Sequence, residues 1–275
     1  MAKDAHKDPI ETTVDGAPVH KAYPLPSTDV YEKIPHAGIP RANLAPSAEH
    51  PNGSSDIHHK NYSVLQQHIA FFDPDNDGVV YPWNTYSGFR RMGFVMSYSF
   101  LAMLFIHLNM AYPTQTSWIP NPALPIFIAN IHKVKHGSDT DIYDSEGRFR
   151  PDQFEELFSR FGKTRKDALT ATEVRMMLSH QRRPWDIFGW IACFLEYFTL
   201  WLLCGEGSGF GSDSYITKEN IRRQYDGTLF FQMEAKENAR KQQKVERSEK
   251  AKKATTNTAH KKVVEPVQHM VGKEE

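Results

Sequence analysis

The sequence predicts a mainly α-helical protein with an EF-hand-like calcium-binding domain, a proline-interrupted membrane anchor and a helical C-terminal region. Three observations carry this prediction. Apolar side chains recur at helical spacing before Asp73, an acidic loop with a central glycine begins there, and residues 92–132 contain no Asp, Glu, Lys or Arg. A helix leading into an acidic loop is typical of EF-hands, and long uncharged stretches are typical of membrane-associated segments.

The charge balance limits the possible partners, and the cysteines indicate the cellular compartment. The chain of 275 residues has 33 basic and 33 acidic side chains, so its overall charge favours neither nucleic acid nor an acidic substrate. Cys193 and Cys204 lie in an apolar stretch, which suits buried thiols in a reducing compartment better than a disulfide. Because the N-terminus has no apolar signal core, we expect a cytosol-facing protein with an internal membrane attachment.

The chain before the uncharged stretch divides into an arm and a calcium-binding unit. Residues 1–60 are rich in Pro, His, Asp and Lys without a hydrophobic period, which predicts an extended, partly disordered arm. Residues 61–91 are predicted to form an EF-hand. In its entering helix Leu65, His68 and Phe72 recur at helical spacing and would share one face.

The predicted calcium loop covers residues 73–84 and matches the EF-hand pattern at most positions. Asp73, Asp75 and Asp77 would supply carboxylates, and Val79 would supply its backbone carbonyl. The glycine at the sixth position permits the sharp turn. Calcium is a hard ion that takes six to eight oxygen ligands, which explains this spacing. The alternative is an acidic turn that binds no metal.

The loop departs from the pattern at its last position. Asn84 offers one neutral oxygen where the EF-hand normally has a bidentate glutamate, so we expect weaker calcium binding. Two further segments are predicted to be degenerate EF-hand-like loops. Residues 142–149 place Gly147 at the sixth position, and residues 214–217 have still fewer oxygen ligands. We expect no second calcium site.

Residues 92–132 are predicted to be a hydrophobic membrane anchor. Its first half, residues 93–112, would reach about 30 Å as a helix, which is the thickness of a bilayer core. Four prolines follow and prevent a second continuous spanning helix, so a one-sided hairpin or an interfacial insertion is expected. Basic residues flank both ends, which indicates that both face the cytosol. The alternative is a core helix of a soluble domain.

The remainder of the chain is predicted to be a helical C-terminal domain, residues 133–231, followed by a charged tail, residues 232–275. An apolar segment over residues 185–204 is interrupted by two acids, Asp186 and Glu196. The tail is rich in Lys, Glu and Gln, which predicts a solvated tail or a fraying helix.

Several strings taken together resemble the caleosins. The resemblance covers about residues 50–232, and its length and number of strings make it specific. The strings are Leu65-Gln66-Gln67-His68, Tyr81-Pro82-Trp83, Tyr86-Ser87-Gly88-Phe89-Arg90, residues 130–139 with His136-Gly137-Ser138-Asp139, Glu146-Gly147-Arg148-Phe149, residues 185–190 and residues 225–230. The resemblance implies an oil-body surface protein with one EF-hand, a proline knot and a haem-dependent, calcium-linked peroxygenase activity. The length of the basic tail is more like that of fungal members than of plant ones.

The resemblance also implies the haem ligands. The histidine before the calcium loop and the histidine of the His-Gly-Ser-Asp string fall on His68 and His136, which would hold haem b. Whether both bind iron or one acts distally stays open. His132, four residues from His136, is the main rival, and a thiolate of Cys193 or Cys204 is a weaker one because no basic residue adjoins either. Without the resemblance, His68 would be read as an ordinary core histidine.

The function expected from the resemblance is oxygen transfer from fatty-acid hydroperoxides to unsaturated lipids. The expected partner is the cytosolic face of the lipid-droplet or endoplasmic-reticulum membrane, with no nucleic acid and with a homo-oligomer left open. The second reading is a non-catalytic, calcium-binding droplet coat or tether. A third, a soluble calcium buffer, leaves the uncharged stretch unexplained.

Overall fold

A computed structural model describes residues 15, 21–24, 31–207, 209 and 213–271, with side chains as far as 253. The described part is mainly helical, as the sequence predicts. Its α-helices are α1 (Val64–Ala70), α2 (Pro82–Arg91), α3 (Met96–Thr114), α4 (Pro151–Phe161), α5 (Ala171–Gln181), α6 (Ile187–Cys204), α7 (Lys218–Tyr225) and α8 (Thr228–Val271). A 3₁₀ helix covers Ile128–Val134, and the strands are β1 (Val79–Val80), β2 (Ile126–Phe127), β3 (Ala168–Thr170) and β4 (Tyr215–Thr217).

The N-terminal half is built from two facing helix–loop–strand–helix units. The first is α1, the acidic loop, β1 and α2. The second is α3, the proline-rich segment, β2 and the 3₁₀ helix. The two strands pair antiparallel, with Val79 opposite Phe127 and Val80 opposite Ile126. This register joins the end of the acidic loop to the end of the proline-rich segment.

The C-terminal half repeats this arrangement. The helices α4 and α5 flank one loop and β3, and the helices α6 and α7 flank the next loop and β4. The strands pair antiparallel, with Leu169 opposite Ile216 in the middle of the register. Both side chains are fully buried, so the short sheet lies in the core.

The two segments predicted to be degenerate calcium loops have different outcomes. Residues 214–217 include β4, which pairs at the loop end of a helix–loop–strand–helix unit. Residues 142–149 instead form a tight hairpin, in which Tyr143 pairs with Phe149. The carboxylate of Asp144 accepts the backbone N–H groups of Glu146 and Arg148 and the Nε of Arg148, at 2.6–2.9 Å. The described segment is therefore a hairpin closed by local hydrogen bonds, and its relation to an EF-hand loop stays a prediction.

The uncharged stretch divides into an exposed part and a buried part. The helix α3 leaves large apolar side chains in solvent, among them Leu101 and Leu108, about two thirds exposed. The chain then returns to the core, where Ile126, Ile128 and Ile131 are at most 2% exposed. The anchor predicted over residues 92–132 therefore ends in core structure that pairs with the acidic loop.

The predicted arm and tail are partly folded in the described residues. Within residues 31–60, Ile34 and Ala45 are buried, and the backbone of Arg41 pairs with that of Phe149. The predicted arm also includes residues 1–14, 16–20 and 25–30, which lie outside the described part. The tail continues α8, whose side chains are mainly exposed over residues 238–253.

One described helix, α6, is long and apolar enough to cross a membrane by length and composition alone. Its Cys193, Tyr197 and Leu200 are buried, whereas Ile187 and Leu202 are about half exposed. The helix thus contributes to the protein core and also presents an apolar surface.

Candidate functional site

The acidic loop between α1 and β1 brings three carboxylates together. Asp73, Asp75 and Asp77 each place one carboxylate oxygen within 4.8 Å of the others. The loop turns through Asn76 and Gly78, both with positive φ angles. Asp73 is buried, and one of its oxygens accepts the backbone N–H of Gly78 at 2.9 Å. This set of converging oxygens fits a hard divalent cation.

The other two predicted ligands lie at the far end of the loop. Val79 begins β1 and donates its N–H to Asp77 Oδ1 at 2.8 Å. Asn84 is half-buried in the first turn of α2. Burial raises the pKa of Asp73, and the neighbouring carboxylates of Asp75 and Asp77 raise it further. The three acids therefore repel one another unless a cation joins them.

His68 is on α1, two residues before that helix ends. Its ring Nδ1 lies 2.7 Å from the backbone carbonyl oxygen of Gln224, which can only accept, so Nδ1 carries the proton. The other ring nitrogen, Nε2, then carries no proton, and its lone pair can bind a metal ion. Burial lowers the pKa of His68 to about 4, so the ring is neutral at physiological pH. A neutral imidazole fixed through Nδ1–H is the form that binds metal ions and haem iron.

The surroundings of His68 hold the ring in place. The ring of Phe230 meets it edge-on with centroids 5.0 Å apart. A Cβ added to Gly227, which has a φ of +74°, would lie 2.6 Å from the Gln67 carbonyl oxygen and 3.0 Å from the His68 Cα. The junction between α7 and α8 therefore packs directly on the backbone of α1 at His68.

His136 follows the 3₁₀ helix and lies against the start of α6. Its Nδ1 is buried without a hydrogen-bond partner among the described residues, and Asp186 Oδ2 is 3.7 Å away. Its Nε2 is 3.9 Å from Cys193 Sγ. The ring of Phe188 meets it edge-on at 5.7 Å between centroids. An unpartnered buried ring nitrogen beside a carboxylate is suited to accept a proton or to bind a ligand.

Asp186 lies beside His136 and is held in place by hydrogen bonds of its own. It caps α6 by accepting the Gly189 N–H at 3.0 Å and also accepts the Ser138 N–H at 2.7 Å. Burial alone would raise its pKa, but these hydrogen bonds from Ser138 and Gly189 lower it below its usual range. Asp186 is therefore a stable negative charge beside His136.

Neither cysteine offers a thiolate. Burial raises the pKa of Cys193, and the carboxylates of Glu196 and Asp139 raise it further. Burial also raises the pKa of Cys204 to about 12. Both are protonated at neutral pH, which disfavours the thiolate alternative for an iron ligand.

Glu196 connects the two halves of the site and was not predicted as a functional residue. Gln224 donates its side-chain Nε2 to Glu196 Oε1 at 2.6 Å while its backbone carbonyl holds His68. Glu196 is an exposed residue of α6, and the burial of its carboxylate raises its pKa. It stands one helical turn after Cys193, which contacts His136. The sequence signal was present, because an acid interrupting an apolar segment is a feature that burial must explain.

The caleosin-related protein family model matches residues 60–234. The chain belongs to the caleosin family. The match spans α1, the acidic loop, both histidines and the junction at Gly227, so the geometry described above lies in the family's shared region. No solved structure matches the chain.

Three curated relatives are similar to this chain. A peroxygenase from Lilium longiflorum is 45% identical over 203 residues, which cover 74% of this chain and 83% of the relative. Probable peroxygenase 4 from Arabidopsis thaliana is 37% identical over 182 residues, covering 66% and 91% respectively. A probable inactive peroxygenase-like protein from the same plant is 34% identical over 149 residues, covering 54% and 69%.

Within this caleosin, the two predicted histidines are tied to neighbouring helices, whereas the rival histidine is not. His68 contacts α7 and His136 contacts α6, and Gln224 with Glu196 joins those helices. His132 is half-buried in the 3₁₀ helix, and its ring makes no hydrogen bond, ion pair or ring contact with residues that the structure describes. These contacts link His136, but not His132, to the helices around His68, and which of the two histidines completes the pair stays a prediction.

Proposed function

We propose that this caleosin is a haem-dependent, calcium-linked peroxygenase that transfers oxygen from fatty-acid hydroperoxides to unsaturated lipids, by epoxidation or hydroxylation. The single observation that carries the proposal is the Nδ1 contact of His68 with the Gln224 carbonyl. It fixes the tautomer whose Nε2 can bind iron, and it raises the basicity of that nitrogen. The peroxygenase relatives and the family match support the same reaction class.

Haem b, when bound, supplies the iron chemistry that cleaves the hydroperoxide O–O bond and passes one oxygen to the acceptor lipid. The chain's own contribution begins with His68, which would hold the group through Nε2. His136 has a buried Nδ1 with no hydrogen-bond partner among the described residues, and it would take the hydroperoxide proton or act as a second ligand. Asp186, ionised and 3.7 Å away, stabilises the imidazolium that results from proton uptake.

Calcium is proposed to bind at Asp73, Asp75, Asp77, the Val79 carbonyl and Asn84, in an EF-hand loop whose partner is the proline-rich loop before β2. The β1–β2 register supports this pairing, since paired EF-hands meet through their loops. The calcium loop directly follows the helix that carries His68. The helix α1 ends at Ala70, and Arg91 of α2 donates to the Phe71 carbonyl at 2.6 Å, so both flanking helices are joined beside His68.

The proposed location is the cytosolic face of the lipid-droplet or endoplasmic-reticulum membrane. Large apolar side chains remain in solvent along α3, along α6 and in the proline-rich segment, where Trp118 is 92% exposed. Tyr98 of α3 and Thr199 of α6 are hydrogen-bonded at 2.6 Å, so the two helices lie side by side. Exposed apolar area of this extent indicates a lipid or protein contact surface.

Labelled oxygen tests the reaction. The haem-loaded protein is given a fatty-acid hydroperoxide with both peroxide oxygens ¹⁸O-labelled and an unsaturated fatty acid, and the products are analysed by mass spectrometry. We expect label in the epoxide or alcohol formed from the acceptor. Haem-loaded protein that leaves the acceptor unoxidised would instead support the second function, a calcium-binding coat or tether that needs the apolar surface and the loop but no haem.

A further inference from the structure

An apolar groove of about 790 Å³ runs between α5 and α6. The α5 wall contains Ala171, Val174 and Leu178, which recur at helical spacing. The α6 wall is mainly aromatic, and its lining residues are Trp190, Phe194, Tyr197, Phe198 and Trp201. The volume is in the range of small-molecule sites, and concave apolar walls with few polar groups are typical of them.

The charged groups that line the groove are both basic. Arg175 lies on α5 and Arg182 directly follows the last residue of that helix, and no acidic residue is among the described residues that line the groove. The guanidinium of Arg182 lies 4.0 Å above the ring of Trp190. Arg175 is exposed, and its side chain makes no hydrogen bond or ion pair within the described part of the chain. Charge complementarity therefore favours an anionic ligand.

One end of the groove reaches the candidate site. Cys193 and Ser138 line that end, and Cys193 Sγ donates to the Ser138 carbonyl at 3.2 Å. The same sulfur is 3.9 Å from His136 Nε2. A ligand lying along α6 with its anionic group at Arg175 would therefore extend towards His136.

We propose that this groove binds one long-chain fatty acid, with its carboxylate on Arg175 and its hydrocarbon chain along the aromatic wall of α6 towards Cys193. The assignment rests on the proposed function only where it gives a role to the end of the groove next to His136. The binding of a fatty acid in the groove does not depend on that function. A single carboxylate followed by an apolar chain matches one unpaired guanidinium beside an apolar trough. The outward side chains Ile187 and Leu202 do not line the groove, so a membrane surface has a separate face of α6 to contact.

Binding of cis-parinaric acid, a fluorescent unsaturated fatty acid, to the full-length protein without haem or vesicles tests the site. We expect saturable binding with energy transfer from tryptophan, because Trp190 and Trp201 line the groove. Oleate should displace the probe, and methyl oleate, which has no charge, should displace it more weakly. Arg175→Gln should weaken parinarate about three- to tenfold and leave the affinity for methyl oleate unchanged.

A second variant and a matched control complete the test. Ser179→Trp places a bulky side chain at an exposed lining position, so the fold should persist while parinarate affinity falls at least about tenfold. Arg247→Gln removes an exposed arginine of α8 and should change nothing. Unchanged parinarate binding in both groove variants overturns the assignment. Groove-dependent binding in a protein that shows no oxygen transfer when haem-loaded keeps the groove and rejects the peroxygenase proposal.

Discussion

His68 Nδ1 lies 2.7 Å from the backbone carbonyl oxygen of Gln224, although the two residues are far apart in the chain. This contact joins the helix before the acidic loop to the helix α7 at the other end of the caleosin region. Because the acceptor is a backbone atom, the bond depends on where α7 and α8 pack rather than on the Gln224 side chain. The position of that junction is therefore expected to control the histidine.

Gly227→Ala tests this dependence on packing. A Cβ there would lie 2.6 Å from the Gln67 carbonyl oxygen, and the φ of +74° adds strain for alanine. We expect a loss of about 2 kcal/mol or more in the free energy of unfolding and a weakened haem spectrum. Denaturant unfolding and a Soret titration measure the two effects.

Gly209→Ala is the matched control, because Gly209 also has a positive φ but no atom of the described residues within 4 Å of an added Cβ. Its cost should be about 1 kcal/mol, with the haem spectrum unchanged. Equal effects in the two variants would show that close packing at His68 is unimportant.

Calcium binding should depend on the acidic loop. We expect Asp73→Ala to weaken calcium at least about tenfold by calorimetry, and Asn84→Glu to tighten it by supplying a bidentate carboxylate. Glu146→Gln changes an exposed acid of the 142–149 hairpin and should have no effect. A loss of calcium binding in Glu146→Gln would contradict the expectation that this hairpin holds no calcium.

Calcium should also raise activity by ordering α1, the helix that carries His68. Chelation is expected to lower oxygen transfer in the natural chain and to have no further effect in Asp73→Ala. If chelation leaves the haem spectrum and oxygen transfer of the natural chain unchanged, calcium has a structural or membrane-related role instead.

Glu196 should give the stability a defined pH dependence. Its pKa is raised by burial, so between the unfolded value near 4.5 and the higher folded value the folded protein holds more protons. The contribution of Glu196 to the free energy of unfolding is therefore fully present below about pH 4.5, and it is lost as the pH rises through the folded pKa. Glu196→Gln resembles the protonated acid and should be more stable than the natural chain at neutral pH.

The difference between Glu196→Gln and the natural chain should shrink as the pH falls towards 4. Thermal or denaturant unfolding across this range measures it. A difference that is constant with pH, or that grows on acidification, would mean that folding does not raise the pKa of Glu196.

Membrane binding should depend on the exposed face of α3. Leu101→Asp combined with Leu108→Asp places two charges on side chains that are about two thirds exposed, so folding should be preserved. We expect binding to vesicles or artificial droplets to fall at least about tenfold in a flotation assay. Val245→Asp, a similar change on exposed α8, should bind normally. Equal binding by all three proteins would place the attachment elsewhere.

The sequence predicted local features well and long-range ones poorly. The helical spacing of Leu65 and His68 and the acidic pattern from Asp73 are short-range signals, and the structure has a helix and a converging set of carboxylates at those positions. The pairing of β1 with β2 was not predicted. It joins segments separated by the whole of α3, and two-residue strands have no detectable period.

The hairpin at residues 142–149 was not predicted, because glycine and aromatic spacing are shared by hairpins and calcium loops. In this hairpin Tyr143 pairs with Phe149, and the Asp144 carboxylate accepts Nε of Arg148. Gln224 could not have been predicted as a partner of His68, because it acts through its backbone carbonyl. Glu196 could have been singled out, since it is an acid within an apolar helix.

The most direct test of the account is haem ligation by His68. The protein is reconstituted with haem as the natural chain, as His68→Gly and as His132→Ala, and the Soret band and hydroperoxide-dependent oxygen transfer are recorded. We expect His68→Gly to lose both signals and to recover them in part with added imidazole, while His132→Ala retains both. A His68→Gly protein with an unchanged Soret band and full oxygen transfer would contradict the assignment.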